Sequence, residues 1–112
     1  MANTTASRKQ KGRKFQQYVR DLLRKRYNVC DPEDIQSISM GCQGTDVVLS
    51  PFAKSIIKFD IECKCQENIS IWKCLEQTEA NTGEGRIGLL CFKRNRSKSY
   101  AVIELETLMR LI

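Results

Sequence analysis

Between residues 11 and 27, Phe15, Val19, Leu22 and Leu23 recur at helical spacing, forming one apolar stripe that predicts an amphipathic helix against a core. Arg13, Gln17, Arg20 and Arg24 fall at steps of four, three and four residues, which places them on one exposed ridge of that helix. Asp31-Pro32 ends the pattern, because proline disfavours helical geometry in the residue before it. Ile35, Ser37 and Ser39 then alternate with Gln36, Ile38 and Met40, and Gly41-Cys42-Gln43-Gly44 leads into Val47-Val48-Leu49; this predicts two short strands around a glycine turn. After Ser50-Pro51, Ile57, Phe59, Ile61, Cys63 and Cys65 alternate with Lys58, Asp60, Glu62 and Lys64, predicting a strand over 56–65. Ile71, Cys74, Leu75 and Thr78 return to helical spacing, with Gly83 as the C-terminal stop. Two strands, 86–93 and 99–104, flank the polar Arg94-Asn95-Arg96-Ser97-Lys98 connection, and a short apolar helix over 105–111 closes the chain. The expected order is α-β-β-β-α-β-β-α, an α/β domain with a central mixed sheet flanked by helices.

At 112 residues the chain has room for one core. The expected organisation is a flexible basic tail over 1–10 and a single domain over 11–112. No apolar run approaches the roughly 20 residues that span a bilayer, and the opening MANTTASRKQKGRK lacks the apolar centre of a secretory signal, so a cytoplasmic protein without membrane association is expected. The formal charge of +6 is clustered. Arg8, Lys9, Lys11, Arg13 and Lys14 open the chain, Arg20, Arg24, Lys25 and Arg26 follow, and Lys93, Arg94, Arg96 and Lys98 form a second block. Clusters of this kind suit a polyanion, nucleic acid above all, although a solvated surface has the same composition. The six cysteines show no framework spacing and are expected as thiols, and Cys63-x-Cys65 lacks the paired spacing of a zinc site. With no histidine, imidazole-assisted serine or cysteine nucleophiles are excluded.

The remaining chemistry is carboxylate chemistry. Glu62 and Lys64 lie two apart on the predicted strand and project from one face, while Ile61, Cys63 and Cys65 project from the other. Asp46 stands at the start of an earlier strand, where a neighbouring strand can bring it beside Glu62. Asp46, Glu62 and the carbonyl of Cys63 would then suit Mg²⁺, which takes one or two carboxylates together with water and substrate phosphate. Such an ion polarises a scissile phosphate, and Lys64 beside it can orient water or stabilise charge in the transition state. Taken alone, E-x-K on a strand is more often a cross-strand ion pair. Its combination with G-x-D after the first helix and with basic segments on either side sharpens the signal.

In these features the chain resembles the PD-(D/E)xK endonuclease superfamily, and within it the archaeal-type Holliday junction resolvases and their phage-borne relatives. The resemblance runs from Lys11-Gly12 through the first helix, across Gly44-Thr45-Asp46-Val47-Val48-Leu49 and Asp60-Ile61-Glu62-Cys63-Lys64, and into Ile71-Trp72-Lys73-Cys74-Leu75-Glu76-Gln77; Lys93 to Lys98 is similar to the phage-type proteins. It implies a restriction-endonuclease-like fold, Asp46 and Glu62 as ligands of Mg²⁺ or Mn²⁺, Lys64 as the catalytic lysine, and a phage-encoded enzyme acting in the host cytoplasm. Two positions depart from the pattern: Thr45 replaces the proline before the aspartate, and Gln16 stands where the archaeal resolvases carry a first-helix glutamate. An amide oxygen is a neutral, poorer ligand than a carboxylate. Gln16 is preferred over Gln17 for the site, because Gln17 should face outward. Glu76 and Gln77 are candidates for accessory roles. Lys11, Arg13, Arg20, Lys93, Arg94, Arg96 and Lys98 are expected as DNA contacts, made to phosphate rather than to bases.

The function expected is metal-dependent, structure-selective cleavage of DNA that resolves four-way junctions. A homodimer is expected with it, since a two-fold axis would place one site at each of two equivalent strands. A nicking or restriction-like nuclease on other DNA forms and a catalytically inactive DNA-binding relative remain open, because fold does not fix substrate.

Overall fold

The computed structural model describes residues 4–38 and 45–112. The end of the strand expected over 35–40 and the glycine turn over 41–44 fall outside them. Helix α1 (Thr5–Arg26) opens the fold, capped by Thr4, whose Oγ1 accepts the Ser7 N–H at 3.0 Å. It begins six residues before the expected start, so the segment expected as a basic tail forms, from Thr5 onward, the first turns of α1.

After a 3-10 turn (Pro32–Asp34), β1 (Ile35–Ser37) pairs antiparallel with β2 (Val47–Leu49), Gln36 standing opposite Val48. A short helix follows that the hydrophobic pattern does not predict: α2 (Pro51–Ile56). Its signal lies in Ser50-Pro51, which ends one strand and also starts a helix. Ser50 Oγ accepts the Ala53 N–H at 3.1 Å, and Pro51 fills the first position, where a missing N–H costs nothing. Strand β3 (Phe59–Cys65) is correspondingly shorter than the expected 56–65.

Helix α3 (Ile71–Ala80) forms the crossover that a parallel pair requires, joining β3 to β4 (Ile87–Lys93). Strand β5 (Tyr100–Val102) returns antiparallel to β4, and α4 (Leu105–Leu111) ends the chain. Gly83 is not the stop of α3: the helix is capped by Asn81 in right-handed geometry, and the Gly83 N–H donates to Asp60 Oδ2 at 2.8 Å.

The molecule is thus an α/β domain with a mixed three-stranded sheet, β3-β4-β5, and an antiparallel pair, β1-β2, flanked by helices. The expected α-β-β-β-α-β-β-α order is matched loosely, with α2 inserted between the second and third strands. Phe15 and Val19 of α1 pack on Ile35, Val47, Leu49, Ile57, Ile61 and Cys63, so α1 covers the face of β3 that carries the odd-numbered residues. The opposite face of β3 lies under the end of α3. There Asp60 pairs with Arg86 at 2.7 Å, and Arg86 also donates to the carbonyls of Ile57 and Phe59, fixing the entry to the strand. No helix among the described residues is long and apolar enough to cross a membrane.

Candidate active site

Asp46 sits where the two sheets meet. Its carbonyl accepts the Ile38 N–H at 3.2 Å, its own N–H donates to the Ile61 carbonyl of β3 at 3.1 Å, and its Oδ2 accepts the Cys63 N–H at 2.7 Å. Backbone and side chain of one residue therefore join β3 to the β1-β2 pair. Glu62 lies between the two anchored residues of β3, and its carboxyl group is near enough to that of Asp46 for each to shift the other's titration.

The edge of β3 that receives Asp46 can be read from the ladder. Ile87 N–H donates to Lys58 O, and Gln66 N–H donates to Lys93 O, so the even-numbered residues of β3 direct their backbone polar groups toward β4. Alternate residues use opposite edges. Ile61 and Cys63 therefore address Asp46, and the Cys63 carbonyl lies on the same edge as the Asp46 carboxylate.

Glu62 is only 3% exposed, as buried as the core, although its charge would suit a solvated strand face. The end of α3 accounts for this: Asn81 Nδ2 donates to Glu62 Oε1 at 2.9 Å, so the carboxylate is removed from water and given an amide donor. Burial pushes the Asp46 carboxyl above its ordinary value, opposed by the Cys63 N–H, the Lys64 charge and the neighbouring Glu62. Burial also raises Glu62; Asn81 and Lys64 pull it back, while the neighbouring Asp46 pushes it further up. Two neighbouring, partly desolvated carboxyls, each raised, form a site whose fully ionised state favours a cation. Lys64 supplies part of that charge.

Among the described residues no group of three or more histidine, cysteine, aspartate or glutamate side chains gathers as a metal cage. A pair of carboxylates with a main-chain oxygen on the same edge nevertheless fits Mg²⁺ or Mn²⁺, which keep water and substrate oxygens as further ligands. The sulfur of Cys63 is no alternative. Burial raises its pKa far above the ordinary thiol value, and burial pushes Cys91, its partner on β4, up to about 11, so neither is a ready thiolate.

Gln16 is 3% exposed and lies with Phe15 and Val19 on the face of α1 that packs on the sheets, whereas Gln17 is half-buried. Glu76 and Gln77 are both exposed on α3. The polar contact from this helix comes instead from Asn81, which the pattern of the sequence did not single out; its position at the helix C-cap was the available clue.

The expected basic ridge divides. Arg13 is exposed, Arg20 pairs with the adjacent Asp21 at 2.9 Å, and Arg24 donates to the carbonyls of Ile35 and Pro32 where α1 meets β1. Roughly half a turn around α1, Lys11 and Lys14 face Lys93, Arg96 and Lys98 across an open groove of about 680 Å³. Lys14 is a groove residue that the ridge pattern missed, and Arg94 is not among those lining it. Cys65, one residue beyond Lys64 and on the opposite face of β3, lines the groove. No family model, curated protein or solved structure matches the chain.

Proposed function

We propose that the chain is a metal-dependent DNA endonuclease with Asp46, Glu62 and Lys64 at its centre, acting on branched DNA and resolving four-way junctions as a homodimer. One observation carries the reading: Asp46 is fixed to β3 by main chain and side chain together, through Ile61 and Cys63, the two residues that flank Glu62, with Lys64 next along the strand. A restriction-endonuclease-like fold and membership of the PD-(D/E)xK superfamily are part of the proposal.

Asp46, Glu62 and the Cys63 carbonyl would hold Mg²⁺ or Mn²⁺. When bound, the ion would offset charge on the scissile phosphate and activate water. The chain's own groups do the rest. The Cys63 N–H keeps Asp46 in one rotamer, Asn81 holds Glu62, and the Lys64 ammonium, placed by the strand, supplies a fixed positive charge where the phosphate gains negative charge. Gln16 would reach the ion through water rather than directly. Lys11, Arg13, Arg20, Lys93, Arg94, Arg96 and Lys98 would hold DNA by its phosphates.

The test is cleavage of a labelled four-way junction beside a flap, a linear duplex and a single strand of matched arms, with Mg²⁺ or with EDTA. Paired cuts confined to the junction and lost in EDTA are expected. Equal cutting of the linear duplex moves the reading to a nicking or restriction-like nuclease. Tight binding without any cut leaves an inactive DNA-binding relative, a reading that the neutral Gln16 favours.

A further inference from the structure

We infer that the groove between α1 and the β4–β5 connection binds an unpaired DNA strand, with Tyr18 as a stacking surface for a base. The inference deepens the nuclease reading and rests on it for the choice of DNA as the ligand.

The two walls differ in chemistry. On α1, Lys11, Lys14, Tyr18 and Leu22 follow one another along a single stripe, with Phe15 at their base. Tyr18 is 50% exposed and Leu22 is 49% exposed, an apolar surface left to water inside a concave site. The facing wall is cationic, with Lys93, Arg96 and Lys98, and none of the described residues lining the groove is acidic. A ligand complementary to both walls carries negative charge along one side and flat apolar faces along the other. An unpaired strand has that form, since its phosphates and bases are both accessible. A duplex turns its phosphates outward and hides its base faces, so it would satisfy the lysines and leave Tyr18 and Leu22 in water.

The cationic wall is built rather than loose. Arg96 takes a left-handed backbone with φ 62°, an uncommon conformation for a residue with a side chain. The turn around it is held by Ser97 Oγ, which accepts the Arg94 N–H at 3.0 Å, and by Glu67, whose Oε2 accepts the Asn95 N–H at 2.6 Å. Glu67 thus braces the loop from behind. Cys65 lines the groove from the odd-numbered face of β3, opposite the face of Glu62 and Lys64, so the groove runs past the end of the strand that carries them. Branched DNA offers such unpaired nucleotides where its arms separate.

The experiment uses the full chain in EDTA, where no cleavage competes. Anisotropy of a labelled oligothymidylate is compared with that of a blunt duplex of equal length, for wild type, Tyr18→Ala and Tyr18→Phe. Tyr18→Ala should weaken strand binding about fivefold or more, the effect of losing one stacked base, with duplex binding nearly unchanged and Tyr18→Phe close to wild type. A base analogue whose fluorescence falls on stacking should be quenched by wild type and not by Tyr18→Ala. Equal loss for strand and duplex, or no loss for either, overturns the assignment. If wild type cuts no DNA with Mg²⁺ yet the Tyr18 effect on strand binding persists, the nuclease reading fails and the groove stands; metal-dependent cutting without that effect sinks the groove alone.

Discussion

The carboxylate seam and the cationic groove use opposite faces of β3 and are built in opposite ways. In the seam, Glu62 is buried and Asp46 half-buried, and each is held by a bond to a group on a packed element, the Cys63 N–H for Asp46 and Asn81 for Glu62. In the groove, charge sits at the ends of long, solvated side chains on α1 and on the β4–β5 connection. A buried polar group that loses its partner bears the full cost of desolvation, whereas one solvated cation among several can be lost with little consequence. The seam should therefore fail residue by residue, and the groove should fade gradually.

The sharpest contrast is between two lysines on neighbouring strands. Lys64→Ala should lower the cleavage rate about 10²–10³-fold, the scale of losing one preorganised charge at a reacting centre, with junction binding in EDTA largely kept. Lys93→Ala should instead change affinity by a few-fold and reduce the salt dependence of strand binding by about 0.7 in log–log slope. A Lys93 variant as damaging to the rate constant as the Lys64 variant would break the distinction.

Next in size is Asn81→Ala. A residue that orients a metal-binding carboxylate commonly contributes about 10–100-fold to activity or metal affinity. Asn81→Ala should reduce cleavage by that range and raise the Mg²⁺ concentration needed for half-maximal rate. An unchanged Mg²⁺ requirement would show that Asn81 does not position Glu62.

The support of α3 gives a smaller effect on the fold itself. At Gly88 on β4 a Cβ would stand 2.5 Å from Thr82 Oγ1 and 3.2 Å from Thr78 Cγ2, at the end of the helix that carries Asn81. Gly88→Ala should cost about 1–3 kcal/mol of stability in denaturant unfolding, as overpacking does. It should also raise the Mg²⁺ requirement as Asn81→Ala does, and stability equal to wild type would contradict the close packing.

The smallest effect is on pH dependence. Both seam carboxyls are raised by burial, so the folded chain holds protons more tightly than the unfolded one. Their stabilising contribution is present below the unfolded values of about 3.9 and 4.3 and is lost as pH rises through the raised folded values. The melting temperature of the metal-free chain should carry this falling component as pH rises above about 4, and Mg²⁺ should restore the lost stability. Asp46→Asn with Glu62→Gln should remove the component; an identical pH profile in that double variant would assign it elsewhere.

Much of this was legible in the sequence, and the gaps have physical causes. The stripe of Phe15 and Val19 and the alternation through β3 report burial by local periodicity, so α1, β3 and the shared face of Glu62 and Lys64 could be read directly. Helix α2 was missed because Ser50-Pro51 serves equally as a strand terminator and as a helix start, and six residues are too few for a period to arbitrate. Asn81 was missed because its role depends on where α3 ends above β3, a tertiary fact. Lys14 and Tyr18 were not joined to Lys93 for the same reason: the helix pattern fixes which residues share a face, not which loop that face meets. Arg24 showed the reverse error, a cation at a surface spacing whose guanidinium instead ties α1 to β1 through two carbonyls.

The most direct measurement is the rate of Mg²⁺-dependent cleavage of a four-way junction by wild type and by Asp46→Asn, an exchange that keeps the shape of the side chain and an oxygen for the Cys63 N–H while removing the charge. The account predicts loss of cleavage by about a thousandfold with junction binding in EDTA preserved. Cleavage by Asp46→Asn at the wild-type rate would contradict it.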